Sequence, residues 1–539
     1  MVVARPYAEV GISDEFSYVR IAEVLARTGH VVYTGWDTPM LGWQLYLAAG
    51  FIKVFGFSFT VVRASIMLVA GVTAFLCQRT LARVGVNDWN ASIGTLVLLM
   101  SPLVMPLEAM YMTDIPGLFA TVLCAYACLR GIASGTARGA VGWICFAALS
   151  NVVFGSCRQI AWLGVLVMVP SAIWILRRNE WVSRVGLGVW GLSGGLIYGI
   201  NRWFEAQPYT QAEPVVHRVS GHVVYHLAAF MVRGGFEVVL LLLPVLLMVV
   251  PALWRKRFPW PVWVFTGMVV LGVMHLWHER NPKSWYAPYL DGVAPFKTLG
   301  SVRGALTVAV VVCMLALLTA VLVKGKRMGA VEAGLDGRTV ATLFVPFTVA
   351  YLVLISPRVG FEYFWDRYAV PLLFIALIFL LRFYQQRFRT YLPVAALVLA
   401  LCFGGYATAY VHDRAALYRA RVAAVDEVLG SGVAATSVSG GWDYDGWTEL
   451  QLSSHVIGPR MRVPVGVTLP VSTHYGLAHC PWFYCDMFPH VVPRYTISLR
   501  EDPLLRDAFA PVAYRTWLLP AGTVYVVRFP DRSVEGRLP

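Results

Sequence analysis

The sequence predicts a polytopic all-α membrane protein of about 12 transmembrane helices, with a C-terminal extracytoplasmic α/β domain. Two observations lead there first. Apolar residues make up 58% of the 539-residue chain and charged residues only 14%, where a soluble domain carries about 25% charged residues. The apolar residues also come in long blocks, 238–250 and 305–318 among them, many long enough to supply the roughly 20 residues that a membrane helix needs. A third observation concerns the end of the chain. Past residue 411 the apolar runs shorten while Gly, Pro and Asp rise. The chain therefore divides into a transmembrane body, 1–411, and a soluble domain, 412–539.

Spans are expected near 60–80, 91–107, 114–131, 140–157, 160–177, 185–201, 226–254, 260–278, 303–322, 339–356, 368–384 and 390–410. Alternate connections carry clustered basic residues: Arg79 and Arg83; Arg130 and Arg138; Arg177, Arg178 and Arg184; Arg255, Lys256 and Arg257; Lys324, Lys326 and Arg327; Arg382, Arg387 and Arg389. The positive-inside rule puts these in the cytoplasm. The opposite connections, 1–59, 108–113, 157–159, 202–225, 279–302, 357–367 and everything after 411, then lie outside. The net charge of +14 follows from the same rule. No basic stretch interleaved with aromatics points to nucleic acid. The chain opens in an outer loop. Either a short tail is carried across by the first helix or a further helix precedes this start, and the second is the expectation.

In the soluble domain, 461–471, 494–499 and 514–529 read as strands, with Pro520-Ala521-Gly522 as a turn. Seven cysteines, from Cys77 to Cys402, lie in or beside apolar segments, where a thiol packs as a small hydrophobe. Cys480 and Cys485 lie in the outer domain near His474, His479 and His490. An oxidising compartment permits a disulfide; two free thiols or a metal site stay open beside it.

Candidate chemistry starts near the N-terminus. Across 11–29, Tyr18, Ile21, Ala22 and Leu25 recur on one helical face, and Ser17, Arg20, Glu23 and Arg27 on the other. Ser13 is placed to cap the start and Gly29 the end. The helix is too polar to span, so 1–59 is expected to hold surface helices lying on the membrane. Asp14 and Glu15 fall in the first turn, where acids also complement a helix dipole. Asp114 heads a span, with Pro116 suited to its first turn. An acid this close to hydrocarbon is costly and tends to be functional. Arg158 and Arg367 sit at outer helix ends, and a guanidinium binds phosphate oxygens in a bidentate fork. Snorkelling explains Arg158 equally well, as an ion pair with Asp366 explains Arg367. His275, His278 and Glu279 offer a metal reading or an interfacial anchor.

The order of these motifs resembles the C-type (GT-C) glycosyltransferase superfamily. Asp14-Glu15 followed by an amphipathic helix is similar to that superfamily's first outer loop. Gly56–Arg63 resembles its approach to the next helix, and Thr113-Asp114-Ile115-Pro116 its acidic motif in the second outer loop. Arg158-Gln159 resembles the arginine placed after the following hairpin, and Arg367-Tyr368-Ala369-Val370-Pro371 the late Arg-Tyr-x-x-Pro motif. The layout is closest to protein O-mannosyltransferases and the aminoarabinose transferases of lipid A. The resemblance implies a first helix ahead of Asp14-Glu15, which is expected to precede the present start. The resemblance implies an inverting transfer of a sugar from a polyprenyl-phosphate donor to a lipid, glycan or protein acceptor at the outer face. Asp14 would be the general base, and Glu15 would position it or bind a divalent cation if one is used. Asp114 would orient acceptor or sugar, while Arg158, Arg367 and Tyr368 would hold the lipid phosphate. A lipid or glycan transporter or flippase, and a surface-polysaccharide polymerase or ligase, are the competing readings. Most helix interiors lack the ionisable residues expected of a transporter, Arg233 and Glu237 being the main exception.

Overall fold

The computed structural model describes residues 3–36, 42–211, 234–254, 264, 267–268, 302–322, 335–355, 366–470, 485–501 and 506–529. The expected span at 260–278, Arg233, the His275-His278-Glu279 group, Cys480, His474 and His479 fall essentially outside them. Six helices among the described residues are long and apolar enough to cross a membrane: Phe59–Arg83, Asp114–Ile132, Ala137–Gly155, Gly337–Ile355, Asp366–Arg387 and Val394–Gly430. The pair Gly234–Leu241 and Leu243–Ala252, bent by 65°, makes a seventh if taken as one span. The chain is a multi-pass membrane protein.

The N-terminal half holds α1 (Glu15–Thr28), α2 (Trp43–Phe55), α3 (Phe59–Arg83), α4 (Asp88–Leu99), α5 (Val104–Glu108), α6 (Asp114–Ile132), α7 (Ala137–Gly155), α8 (Val169–Ile175) and α9 (Glu180–Ala206). Ser58 caps α3 by accepting from the Val61 amide. Two spans expected as single helices are interrupted. The one near 91–107 divides into α4 and α5, because Pro102 and Pro106 lack the N–H a continuous helix needs and Ser101 Oγ instead accepts from the Val104 amide at 3.1 Å. The one near 160–177 is a 3-10 turn over Gln159–Trp162, a π-helical stretch over Gly164–Met168, and then α8. There the Val165 amide donates to Asn151 Oδ1 at 2.8 Å, a side-chain insertion of the kind that breaks the i→i−4 ladder.

The bent pair forms α10 (Gly234–Leu241) and α11 (Leu243–Ala252). Then come α12 (Val302–Leu322), α13 (Gly337–Ile355), α14 (Val370–Arg387) behind a 3-10 turn at Asp366–Ala369, α15 (Val394–Gly430) and α16 (Trp442–Ser453). The sequence ends the last expected span at 410 and puts the domain border at 411/412. Instead α15 runs on for 37 residues without a break, about 55 Å against a hydrocarbon core of about 30 Å. Its second half is the floor of the C-terminal domain: Ala420, Ala424, Val425 and Val428 pack with Val438, Val524 and Val526.

That domain carries a five-stranded sheet in the order β1-β2-β5-β3, with β4 also on β5. The strands are β1 (Val438–Ser439), β2 (Tyr495–Ser498), β3 (Arg506–Asp507), β4 (Val512–Tyr514) and β5 (Gly522–Arg528). β1 is parallel to β2, and the other pairs are antiparallel. The strand expected at 461–471 is absent from the described part of that segment, which makes only an isolated bridge between Gln211 and Met461. Pro464, Gly466 at φ +83° and Pro470 explain this, since proline cannot donate to a ladder.

Segments expected on opposite sides of the membrane gather at opposite ends of the molecule. At one end, Asn87 and Asn90 from the α3–α4 connection and the start of α4 bond Gln385 and Thr390 near the close of α14. At the other, Ala8, Val10, Ile12, Met110, Met112 and Tyr418 form one cluster.

Candidate active site

Helix α1 does not begin as expected. Ser13 adopts φ 62°, and Asp14 is the residue at the N-cap, with no side-chain capping bond. Gly29 ends the helix in the left-handed region, as expected, and donates to Leu25 O. Nor does α1 keep an open polar face. Ser17 and Glu23 on that face are buried, together with Phe16 and Val19. Phe16 stacks edge-on against Trp442 and Phe488, and Gly446 of α16 lies so close to its ring that any Cβ there would collide. The helix is thus a middle layer between the membrane body and the C-terminal domain.

Adjacent residues on a helix point about 100° apart, and the two acids at the start of α1 meet different surroundings. Glu15 is fully buried. Its Oε1 accepts from Arg63 Nε at 2.8 Å and the Tyr111 amide at 2.7 Å. Its Oε2 accepts from Arg63 Nη2 at 2.6 Å and the Ile12 amide at 2.8 Å. The guanidinium also donates to the carbonyls of Ala8 at 2.6 Å and Val10 at 2.6 Å. This pair closes on itself and pins the N-terminal segment to α3.

Asp14 is only half-buried. Its Oδ1 accepts from two indoles, Trp36 Nε1 at 3.0 Å and Trp442 Nε1 at 3.3 Å. Among the described residues its Oδ2 has no hydrogen bond.

Asp114, the first residue of α6, is 4% exposed. Its Oδ1 takes a close charge-assisted bond from Arg158 Nη1. Its Oδ2 has no hydrogen-bond partner and lies 3.9 Å from Arg367 Nη1. Arg158 reaches this acid because Gly117, one turn along α6, has no side chain. A Cβ there would sit 3.2 Å from Arg158 Cδ. The Arg158 guanidinium lies over the Tyr368 ring at 5.2 Å, and the Tyr368 carbonyl accepts from Tyr351 Oη at 2.7 Å. Asp114, Arg158 and Arg367 line a narrow cleft together with Gly117, Thr121, Tyr351 and Pro371. The charge of Asp14 also acts on the Arg367 guanidinium, second to that of Asp114. The structure therefore brings Asp14, Asp114, Arg158, Arg367 and Tyr368 into one region and sends Glu15 into a separate ion pair.

Three functional neighbours were not singled out from sequence. Arg63 carried a signal, as a charge one turn into an apolar span is costly without a partner. Trp36 and Trp442 are 406 positions apart in sequence order, and only the fold brings them together. Of the three acids predicted for the site, Asp14 and Asp114 keep an oxygen without a hydrogen bond among the described residues, and both oxygens of Glu15 are taken. Among the described residues no group of three or more His, Cys, Asp or Glu is arranged to hold a metal ion.

No family model matches the chain, and no curated protein matches it. Among solved structures it is similar to ArnT from Cupriavidus metallidurans. In the apo state the identity is 15% over 83% of this chain and 82% of that one, with a TM-score of 0.40. In the form bound to undecaprenyl phosphate the identity is 13% over 97% and 95%, with a TM-score of 0.40. It is also similar to the archaeal oligosaccharyltransferase AglB from Archaeoglobus fulgidus, in complex with an inhibitory peptide and a dolichol-phosphate. There the identity is 11% over 90% of this chain and 60% of that one, with a TM-score of 0.35. Likeness this loose assigns no activity, which has to come from the site.

Proposed function

We propose that the protein is an inverting membrane glycosyltransferase that moves a sugar from a polyprenyl-phosphate donor to an acceptor at the outer face. One observation carries the reading: two arginines converge on a buried acid in a cleft at the head of spanning helices, and the charge of a second, half-buried acid, Asp14, is felt at one of them, Arg367. A phosphate seated between Arg158 and Arg367 meets a bidentate, permanently charged surface. Asp114 holds the two cations together before the donor arrives. In the reaction the acceptor oxygen forms a bond to the anomeric carbon from the face opposite the phosphate, and the carbon–oxygen bond to phosphate breaks. Asp14 takes the acceptor's proton. The electron pair leaves with polyprenyl phosphate, whose added charge the arginines stabilise. Glu15 acts only by positioning, since its saturated pair with Arg63 fixes the backbone on which Asp14 stands.

The test is incubation of purified protein with a panel of polyprenyl-phosphate sugars, scoring released polyprenyl phosphate. Asp14→Asn keeps the shape and removes the proton acceptor, so turnover should fall roughly 10²–10⁴-fold with donor binding little changed. Turnover within about threefold of wild type would remove Asp14 from this role, in accord with a mere helix-dipole effect of under about 1 kcal/mol. The outer placement has its own check. A cysteine in place of the fully exposed Val465 should react with an impermeant thiol reagent in intact cells. Protection there would put the site on the cytoplasmic side.

A further inference from the structure

The carboxylate of Asp14 is held from both bodies of the molecule. Trp36 lies in the loop between α1 and α2, whereas Trp442 opens α16 in the C-terminal domain. Both indole N–H groups end on the same oxygen, Oδ1. The rings meet edge to face at 5.0 Å and 70°, and Trp442 packs in turn on Phe488 at 5.1 Å. The placement of Trp442 is itself built. Gly441 before it has φ 101°, a conformation open to glycine, and a side chain there would strike the Arg421 guanidinium. Arg421, from the far half of α15, donates to the Gly440 carbonyl and pairs with Asp443 at 3.4 Å.

We propose that Trp36 and Trp442 are positioning residues for the proton-accepting carboxylate, so that the C-terminal domain completes the active site rather than merely covering it. The inference rests on Asp14 being the base. The last torsion of an aspartate is broad and nearly two-fold, so an unanchored carboxylate samples many orientations. Two donors on Oδ1 select one of them and leave Oδ2 to take the proton. An acid capping a helix start should bond the backbone amides of the first turn; Asp14 bonds indoles instead, and only tertiary docking supplies one of them. Misplacement of a reacting group by about 1 Å costs on the order of 10²-fold in rate, which bounds the joint effect of losing both donors.

The experiment uses the full chain in detergent, with a synthetic undecaprenyl phosphoryl sugar as probe and water as acceptor, read as single-turnover release of undecaprenyl phosphate. Trp442 is replaced by benzothienylalanine, which keeps the shape and lacks the N–H, and separately by 7-azatryptophan, which keeps both. The same pair of replacements is made at Trp36. The expected result is a fall of about tenfold with benzothienylalanine at either position, unchanged undecaprenyl phosphate binding, and recovery of the rate with 7-azatryptophan. Rates within twofold of wild type for benzothienylalanine at both positions, in protein that Asp14→Asn inactivates, would overturn the positioning role and leave the base in place. Equal losses with both analogues would make the indoles packing groups and also overturn it. A fully active Asp14→Asn protein would defeat the base and the clamp together.

Discussion

The two ends of the membrane body each bury a polar network, and the two differ in kind. At one end the groups are neutral. Gln385 Oε1 accepts from the Asn87 amide at 3.0 Å, its Nε2 donates to the Gly85 carbonyl at 3.1 Å, and Asn90 Oδ1 accepts from the Leu392 amide at 2.7 Å. Each group finds its partner nearby, and the network ties the α3–α4 connection to the α14–α15 connection. At the other end the groups are charged, and they divide. The Glu15–Arg63 pair is closed on all sides, whereas Asp14 and Asp114 each keep an oxygen without a hydrogen bond. Buried polar groups are satisfied as a rule, and charges near hydrocarbon persist where they are used. Between these two acids saturation, not burial, marks the difference: Glu15 and Asp114 are both buried, but both oxygens of Glu15 are bonded and Asp114 Oδ2 has no hydrogen bond.

Breaking the closed pair should have the largest effect. Glu15→Gln strands the Arg63 charge in a site where its side chain is 1% exposed, and removing one member of a buried pair costs about 3–5 kcal/mol. That is a large part of the total of about 5–15 kcal/mol for an ordinary domain, so folded yield should collapse. Joint apolar replacement often rescues such pairs. Here Glu15→Met with Arg63→Met should not, because the pair also serves the amides of Ile12 and Tyr111 and the carbonyls of Ala8 and Val10. Thermal unfolding in detergent would show this, and recovery in the double variant would mean those backbone groups have other partners. At the open cleft the outcome should be opposite in kind. Arg367→Ala should leave folding nearly intact while weakening undecaprenyl phosphate binding and turnover roughly tenfold to a hundredfold, the worth of a charged hydrogen bond. Loss of turnover alone would place Arg367 away from the ground-state phosphate.

The contrast was only partly legible in the sequence. The apolar blocks announce a multi-pass protein, and five of the six described spans begin and end within about three residues of them, whereas the spans expected near 185–201 and 303–322 are helices that do not count among those six. Breaks inside spans were missed because they arise from Asn151 and from prolines acting on local hydrogen bonding, which hydropathy does not register. The continuous α15 was missed because the pattern turns from lipid-facing to domain-facing at about residue 411 without any helix-stopping residue. At the site, Asp114 and the two arginines were legible as charges beside apolar helices. The split between Asp14 and Glu15 was half legible: their angle on the helix says that they differ, but Arg63 and the indoles that decide how come from elsewhere in the chain.

A pH series sharpens the comparison further, within the C-terminal domain. Burial pushes the Asp443 carboxyl up to about 6, with Arg421 opposing. Burial likewise pushes Asp445 up to about 7, against bonds from Ser439 and the Gly440 amide. Both folded values stand above the ordinary 3.8. Their contribution to stability is therefore fully present below about 3.8 and is lost as pH rises through about 6 and 7. Unfolding temperature should fall between pH 5 and pH 8, and Asp445→Asn should flatten that slope. A slope of the opposite sign, unchanged by the substitution, would show that these acids are ionised in the fold at little cost.

The smallest effect should come from the neutral end, where Gln385→Leu tests whether the network is architecture alone. The substitution keeps the approximate volume and removes three roles together. The Asn87 amide and the Asn90 side chain lose their acceptor, while the Gly85 carbonyl loses its donor. The loss is partial, because Asn87 Nδ2 still donates to the Thr390 carbonyl at 2.5 Å, and so does Asn90 Nδ2 at 2.8 Å. A buried group left without a partner costs about 1–3 kcal/mol, so the unfolding temperature should drop by a few degrees for a protein of this length. Because this network lies at the far end from Asp14 and Asp114, turnover per folded molecule and undecaprenyl phosphate binding should match wild type. A change in turnover with no change in unfolding temperature would show that the two ends are coupled through α14, whose first turn follows Arg367 and whose last turn holds Gln385.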